Sequence, residues 1–225
     1  MTHLLETIET ETGAQPQFAV IWLHGLGADG HDFEPIVPEL VGRHWPALRF
    51  VFPNAPVRPI TVNGGMRMRG WYDIGGVDIA HKQDEVGVRG SVAAIEQLIA
   101  RENARGIPSA RIILAGFSQG GAITLAAGLR RREPLLGLVA LSTYLPLHET
   151  FPAEAAPESA SVPIFMGHGR FDPVVPESLG LMSRDWIRAL GNPVEWKSYP
   201  MPHSVCAEEI RDLSRWFESR LGVAG

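Results

Sequence analysis

Short apolar runs alternate along this chain with segments whose apolar residues recur at helical spacing. Runs of strand length lie at Phe18–Leu23, 49–52, 111–115, 136–141, 162–166 and Val194–Tyr199. Three sets of residues have the spacing of one helix face: Val88, Val92, Ile95 and Ile99; Leu179, Met182, Trp186 and Leu190; and Ile210, Leu213, Phe217 and Leu221. Apolar strands separated by amphipathic helices are typical of a parallel sheet covered on both faces. The pattern predicts an α/β fold with a mostly parallel, doubly wound sheet, in one domain over residues 1–225.

Two long segments interrupt this alternation. Residues 53–80 are rich in glycine and carry Met66, Met68, Trp71 and Tyr72 without a clean period. Residues 142–161 have loop character, and this segment is too short and too interrupted by its three prolines for a helical cap domain. Long irregular segments in compact domains often bind ligands. We expect residues 53–80 to cover an open site, with Met66 and Met68 in an adaptable apolar groove.

Charge and cysteine content exclude several classes of protein. Lys and Arg number 20 against 25 Asp and Glu, a net charge of −5, which argues against nucleic-acid binding. The single cysteine, Cys206, excludes an intrachain disulfide and fits a reducing compartment. Residues 1–17 are polar and acidic, without the apolar stretch of a signal peptide. We therefore expect a cytoplasmic protein without stable membrane insertion.

The most informative motif lies at residues 112–121. An apolar strand leads into G-x-S-x-G, formed by Gly116, Ser118 and Gly120, and the helix-prone residues 122–129 follow at once. This is the context of a nucleophile elbow, in which the serine occupies a strained strand-to-helix turn. Glycines on either side remove β-carbons that would collide there. Ser118 is therefore the candidate nucleophile.

A nucleophilic serine needs a histidine base. Among the three histidines that follow Ser118, His148 lies in a loop, and His168 ends a strand where we expect it to hold a turn. His203 lies just after the last predicted strand, where α/β sheets place their catalytic groups. Position along the chain therefore favours His203 as the base.

The base in turn needs an orienting acid, and two aspartates stand between Ser118 and His203 as candidates. Asp172 follows a predicted strand, whereas Asp185 lies within a predicted helix and should face solvent. The chain order Ser, Asp, His is that of α/β enzymes with a nucleophile elbow. We expect Ser118, Asp172 and His203 to form a catalytic triad.

A second glycine motif follows the first predicted strand. Gly25, Gly27 and Gly30 spell G-x-G-x-x-G, which is also a dinucleotide-binding fingerprint. That function requires an acid at the end of the next strand, and the sequence there is Pro-Asn-Ala-Pro. We therefore interpret the glycines as an oxyanion loop, with the backbone N–H groups of Leu26 and Gln119 as donors. Neither a cofactor nor a metal is expected, since H-E-x-x-H and a second cysteine are missing.

Taken together, the motifs resemble the phospholipase/carboxylesterase branch of the α/β-hydrolases, which includes bacterial carboxylesterases and the acyl-protein thioesterases. The resemblance rests on LHGLGADG (23–30), RGWYDI (69–74), GFSQGG (116–121), STYLP (142–146), HGRFDPVVP (168–176) and HSVCAEEI (203–210). It implies an α/β-hydrolase fold with the same triad and oxyanion donors, and it suggests acyl-pocket residues near Trp71, Tyr144 and Leu145. Pro202 departs from the family, which usually has glycine before the histidine.

These observations predict a serine carboxylesterase that cleaves esters of short to medium acyl chains through an acyl-enzyme. An acyl-protein thioesterase or lysophospholipase is the alternative, because esters and thioesters share one tetrahedral intermediate. A nicotinamide-dependent oxidoreductase is disfavoured by the missing acid, and a non-catalytic binding module by the complete triad. The expected partner is a small ester, with a lysolipid or an acyl-protein as alternatives. The sequence is also compatible with a homodimer.

Overall fold

A parallel sheet organises the molecule and positions its site. The computed structural model describes residues 4–76 and 83–223. The strands in these ranges are β1 (Thr7–Glu11), β2 (Phe18–Leu23), β3 (Leu48–Pro53), β4 (Val57–Ile60), β5 (Met66–Arg69), β6 (Ile112–Phe117), β7 (Gly137–Leu141), β8 (Ile164–Gly169) and β9 (Val194–Tyr199). The helices are α1 (Val37–Leu40), α2 (Glu85–Ala104), α3 (Gln119–Gly128), α4 (Phe151–Glu154), α5 (Glu177–Ala189) and α6 (Ala207–Leu221).

Seven strands pair in the order β1-β3-β2-β6-β7-β8-β9. All pairings are parallel except that of β1 with β3. Each of the six apolar runs in the sequence falls on one of these strands. The predicted mostly parallel, doubly wound sheet is therefore confirmed. No separate cap domain is present in the described part of the chain.

Apolar side chains cover both faces of the sheet. On one face, the core includes Ile95 of α2, Ile123 of α3 and Ile187 of α5. On the other, Leu40 of α1 and Leu213 of α6 pack against the strands. Two-sided burial explains why the central strands consist of continuous apolar runs. No helix within the described residues is long and apolar enough to cross a membrane.

Helix α5 packs differently from its apolar stripe. Met182, a member of the predicted stripe, is 49% exposed. The buried positions are instead Gly180, Ser183 and Ile187. A Cβ on Gly180 would lie 2.6 Å from Nδ1 of His168, so the helix approaches the sheet too closely for large side chains. The small residues therefore face the sheet, and the stripe lies along the edge of the contact.

The irregular segments contain structure that periodicity does not reveal. β1 forms within the polar N-terminal segment and pairs antiparallel with β3. β4 and β5 form an antiparallel hairpin within residues 53–80, with Ile60 opposite Met66 and Arg58 opposite Met68. Residues 142–161 include α4 and a 3₁₀ turn at Pro157–Ser161. Residues 77–80 of the first segment lie outside the described residues.

Candidate active site

Ser118 lies on a strained turn between β6 and α3. Its backbone has φ 55° and ψ −120°, outside the regions that serine ordinarily adopts. A Cβ on Gly116 would overlap the backbone of Gly120, as the elbow interpretation requires. A Cβ on Gly120 would lie 2.6 Å from the carbonyl oxygen of His24, so this glycine admits the loop after β2. The turn is held by the N–H of Ser118, which donates to the Leu141 carbonyl at 2.8 Å.

His203 and Asp172 lie within hydrogen-bonding reach of this serine. Nε2 of His203 is 2.9 Å from Oγ of Ser118, and Nδ1 is 2.6 Å from Oδ2 of Asp172. With Nδ1 protonated, His203 donates to the carboxylate and Nε2 accepts from the serine hydroxyl. The other carboxylate oxygen of Asp172 accepts from the N–H groups of Val174 and Val175, at 2.8 and 2.9 Å. The arrangement has the geometry in which a base can deprotonate the serine.

Neighbouring rings support these groups without joining the chain of hydrogen bonds. The Phe117 ring packs on His203 with centroids 4.7 Å apart. Nε2 of His168 lies 2.9 Å from the Val175 carbonyl oxygen, which ties down the loop that carries Asp172. Burial lowers the pKa of His168, which keeps its ring neutral. His168 thus holds a turn, as the sequence suggests.

The other histidines and aspartates named above, and the single cysteine, form no hydrogen bond with the serine within the described residues. His148 stacks on the Trp186 ring at 4.3 Å, and Asp185 is exposed on α5. Cys206 precedes α6 and is half-buried. With Pro202 before it, His203 still reaches both Ser118 and Asp172, and the N–H of Ser204 donates to the Pro202 carbonyl at 2.9 Å.

The loop after β2 lies against the elbow. Within the described residues, no acceptor pairs with the backbone N–H of Leu26 or of Gln119. Gly27 has φ +80°, a left-handed conformation that favours glycine, and its N–H donates to the Arg69 carbonyl at 2.8 Å. Two N–H groups without acceptors, one in the loop after β2 and one directly after the serine, are what an oxyanion hole requires.

His24 fixes the start of this loop, and the sequence pattern did not predict this role. Its Nδ1 lies 2.6 Å from the Gly25 carbonyl oxygen, and its Nε2 accepts from the N–H of Ala55 at 3.1 Å. Burial lowers the pKa of His24, and the neutral ring satisfies both contacts. A histidine directly before a glycine-rich turn is the signal that could have identified it.

The predicted acyl-pocket residues divide into two groups. Trp71, Tyr144 and Leu145 are 0, 4 and 1% exposed and lie in the core. Met66 is 64% exposed, and Met68 is half-buried with its sulfur 3.6 Å from the position of a Cβ on Gly27. The structure therefore brings Met68 to the glycine-rich loop after β2, leaves Met66 on the surface and places the other three in the core.

The three buried residues make specific polar contacts there. The indole N–H of Trp71 donates to the His24 carbonyl at 2.9 Å. The hydroxyls of Tyr144 and Tyr72 are 2.8 Å apart, and burial raises the pKa of Tyr144 to about 12. The backbone N–H of Leu145 donates to Oγ of Ser183 at 2.8 Å. These contacts give the three residues a supporting position, with little surface for a ligand.

The dinucleotide alternative gains no support from the loop after β2. The helix that follows, α1, has only four residues, and Gly30 lies against the strand, where a Cβ would be 2.6 Å from the Phe52 carbonyl oxygen. A dinucleotide site needs a helix whose N-terminus faces the pyrophosphate. In residues 4–76 and 83–223, no three His, Cys, Asp or Glu side chains are grouped to hold a metal ion.

Several named proteins match nearly the whole chain. Acyl-protein thioesterase 1 of Neurospora crassa is 42% identical over 90% of this chain and 86% of its own length. Its namesake from Mycosarcoma maydis is 40% identical over 94% of each chain. Among solved structures, SOBER1 of Arabidopsis thaliana is 30% identical with a TM-score of 0.86, over 91% of this chain and 99% of its own. Zea mays acyl-protein thioesterase 2 is 27% identical with a TM-score of 0.83, over 96% and 99% of the two chains.

A family model places these similarities in one group. The phospholipase/carboxylesterase model matches residues 5–220, which include the elbow, the glycine-rich loop after β2 and the loops that carry Asp172 and His203. The structure and the relatives agree on an α/β-hydrolase fold. This chain therefore belongs to the phospholipase/carboxylesterase family of α/β-hydrolases.

Proposed function

We propose that this protein is a serine carboxylesterase that cleaves esters of short to medium acyl chains through an acyl-enzyme. The observation that carries the proposal is the hydrogen-bonded chain Ser118–His203–Asp172 on a strained elbow, with contacts of 2.9 and 2.6 Å. Such a chain activates an otherwise weak hydroxyl nucleophile. A serine without a hydrogen-bonded histidine would lack this activation.

Each member of the site has a role that follows from its contacts. His203 takes the proton from Ser118 as Oγ attacks the ester carbonyl, and then gives it to the leaving alcohol. Asp172, already fixed by two backbone N–H groups, orients the ring and balances its positive charge. The N–H groups of Leu26 and Gln119 stabilise the oxyanion of the tetrahedral intermediate. Water then hydrolyses the acyl-enzyme by the same steps.

The hairpin formed by β4 and β5 supports a preference for acyl chains of limited length. Met68 lies beside the oxyanion loop, and Met66 continues the same face of the hairpin outward. Unbranched thioether side chains adapt to apolar chains of different shape. An open groove of this kind suits short to medium acyl groups.

A thioesterase activity is the second candidate, and the identity of the relatives favours it. Two proteins that are 42 and 40% identical to this chain are named acyl-protein thioesterase 1. Ester and thioester hydrolysis pass through the same oxyanion, so one triad serves both. Comparing kcat/KM for an oxygen ester and a thioester of the same acyl chain distinguishes the two preferences.

The proposal is tested by Ser118→Ala. We expect ester hydrolysis to fall by several orders of magnitude, with a residual rate of roughly 10³- to 10⁴-fold over water from binding and the oxyanion hole. A fluorophosphonate probe should label the wild type and fail to label the variant. Ser178→Ala, an exposed serine on α5, is the matched control and should be labelled normally.

The substrates for this test are p-nitrophenyl esters of increasing acyl length, with a thioester and a lysolipid alongside. Circular dichroism checks that Ser118→Ala is folded. Turnover of the folded variant close to that of the wild type would contradict the assignment of Ser118. Failure to hydrolyse any substrate of the series by the wild type would contradict the proposed activity.

A further inference from the structure

The side chain of Gln119 makes contacts that the proposed chemistry does not use. Gln119 is 3% exposed, although it opens α3 directly after the serine. Its Oε1 accepts from the N–H of Trp71 at 2.7 Å, and its Nε2 donates to the Tyr72 carbonyl at 2.7 Å. Both polar atoms of the carboxamide thus form hydrogen bonds with the backbone of one short segment, residues 69–72. Two buried hydrogen bonds to one segment restrict its position strongly.

The same segment holds the oxyanion loop. The Arg69 carbonyl accepts from the N–H of Gly27 at 2.8 Å, and the Trp71 indole donates to the His24 carbonyl at 2.9 Å. These two contacts lie on either side of Leu26 in the sequence. Because the backbone on both sides of Leu26, at His24 and at Gly27, is attached to residues 69–72, the direction of the Leu26 N–H depends on that segment.

The packing around Gly70 leaves little room for this segment to move. A Cβ on Gly70 would lie 3.0 Å from Cδ1 of Leu26 and 3.5 Å from Oε1 of Gln119. Residues 69–72 therefore pack closely against both the Gln119 carboxamide and the Leu26 side chain. A shift of the segment away from α3 would change the position of Leu26 relative to the serine.

We propose that the carboxamide of Gln119 is a positioning group that sets the distance between the two oxyanion donors. This inference rests on the proposed function, because it presumes that the Leu26 and Gln119 N–H groups hold the oxyanion. One donor is the backbone of Gln119 itself. The other, on Leu26, is tied to the Gln119 side chain through residues 69–72. A single residue thus supplies one donor and positions the second.

Gln119→Met tests the inference, because methionine keeps the backbone N–H and the approximate volume but removes both hydrogen bonds. We expect kcat for p-nitrophenyl butyrate to fall ~10- to 100-fold, less than the loss of a whole donor, with KM within about twofold. An alkyl trifluoromethyl ketone adds to the serine and places an oxyanion in the hole. Its inhibition constant should rise by the same factor as kcat/KM falls.

Tyr72→Phe is the matched control. It removes the hydroxyl pair with Tyr144 from the same segment, but leaves the backbone carbonyl that Gln119 binds. Both variants lose buried hydrogen bonds, so both should show a lowered melting temperature. Only Gln119→Met should lower kcat and weaken the ketone. An equal fall of kcat in Tyr72→Phe would show general loosening of the site and would overturn the inference.

Trp71→Phe provides a second route if Gln119→Met does not fold. It removes the N–H that binds the His24 carbonyl together with part of a buried ring, and it should lower kcat in the same direction. An unchanged kcat or an unchanged ketone constant in the folded variants would overturn the inference. Retained activity in Ser118→Ala would instead overturn the proposed function, so the two failures are distinguishable.

Discussion

At the scale of single residues, the site depends on backbone conformations that most side chains disfavour. Ser118 has φ 55°, which strains a serine, and Gly27 has φ +80°, which glycine adopts readily and other residues do not. The sequence predicts Ser118 because glycines surround it in a fixed pattern. It does not predict the side-chain contacts of Gln119 or His24, since both reach residues 31 or more positions away.

Two substitutions of Leu26 distinguish the contribution of its backbone N–H from that of its side chain. Leu26→Ala keeps the N–H and should change transition-state stabilisation little. Leu26→Pro removes the N–H and should lower kcat by roughly 10²-fold or more. Steady-state kinetics on p-nitrophenyl butyrate, with melting temperatures as a check on folding, measure the difference. Small and equal effects of the two substitutions would place the oxyanion donor elsewhere.

At the scale of elements, strands buried on both faces were the easiest to predict, whereas β1 and the β4–β5 hairpin were missed. β2 coincides with its apolar run at both ends, because a strand covered on both sides needs apolar residues throughout. β1 has the sequence TIETE, in which only Ile8 packs on a core cluster. Each face of the β4–β5 hairpin mixes charged and apolar residues, with Arg58 on the same face as the two methionines, so the hairpin has no continuous apolar run.

The register of this hairpin allows a test of the acyl groove. Met66 and Met68 lie on the face that also carries Ile60, whereas Val57 lies on the opposite face. Replacing both methionines by alanine should weaken hydrolysis of longer chains first, since each buried methylene contributes at most about 0.8 kcal/mol. The measurement is kcat/KM for acetate to octanoate esters. Val57→Ala, which removes an exposed apolar side chain of the same hairpin, is the control and should leave the chain-length profile unchanged.

The outcome shows whether the hairpin contacts the acyl chain of the substrate. A larger effect on octanoate than on acetate would support the groove, and Met68→Ala alone should account for most of it because Met68 is the more buried. A double variant that changes both esters by the same factor would show that the hairpin does not contact the acyl chain.

At the scale of the whole molecule, the sheet assembles a site from distant parts of the chain. Ser118 and His203 are 85 residues apart, and Asp172 and His203 are 31 apart. They meet because β6, β8 and β9 run parallel, so the loops after these strands lie along one edge of the sheet. Chain order and strand assignment were enough to predict this meeting. The sequence did not predict which side chains of the helices are buried against the sheet. The buried carboxyl of Glu209 on α6 is the clearest case.

Glu209 should make the stability of the fold depend on pH. It is 0% exposed, within the described residues neither oxygen has a hydrogen-bond partner, and the carboxyl lies against Gly167 of β8. Burial, with a smaller contribution from the charge of Asp212, raises its pKa to about 8 from an ordinary 4.5. Between these values the folded state holds a proton that the unfolded state has lost. The free energy of unfolding therefore falls as pH rises through this range, by up to about 1.4 kcal/mol per pH unit from this group.

Glu209→Gln removes the ionisation and should remove this contribution. Urea denaturation of both proteins at pH 5 to 9 measures it, and the difference between them cancels groups common to both, such as the buried histidines His24 and His168. We expect the variant to gain stability relative to the wild type as pH rises toward 8, and the difference to become constant above that value. Glu208→Gln, on the exposed neighbour in the same helix, should run parallel to the wild type. Parallel curves for Glu209→Gln as well would mean that Glu209 ionises at the same pH in the folded and unfolded chain, which its burial without a partner argues against.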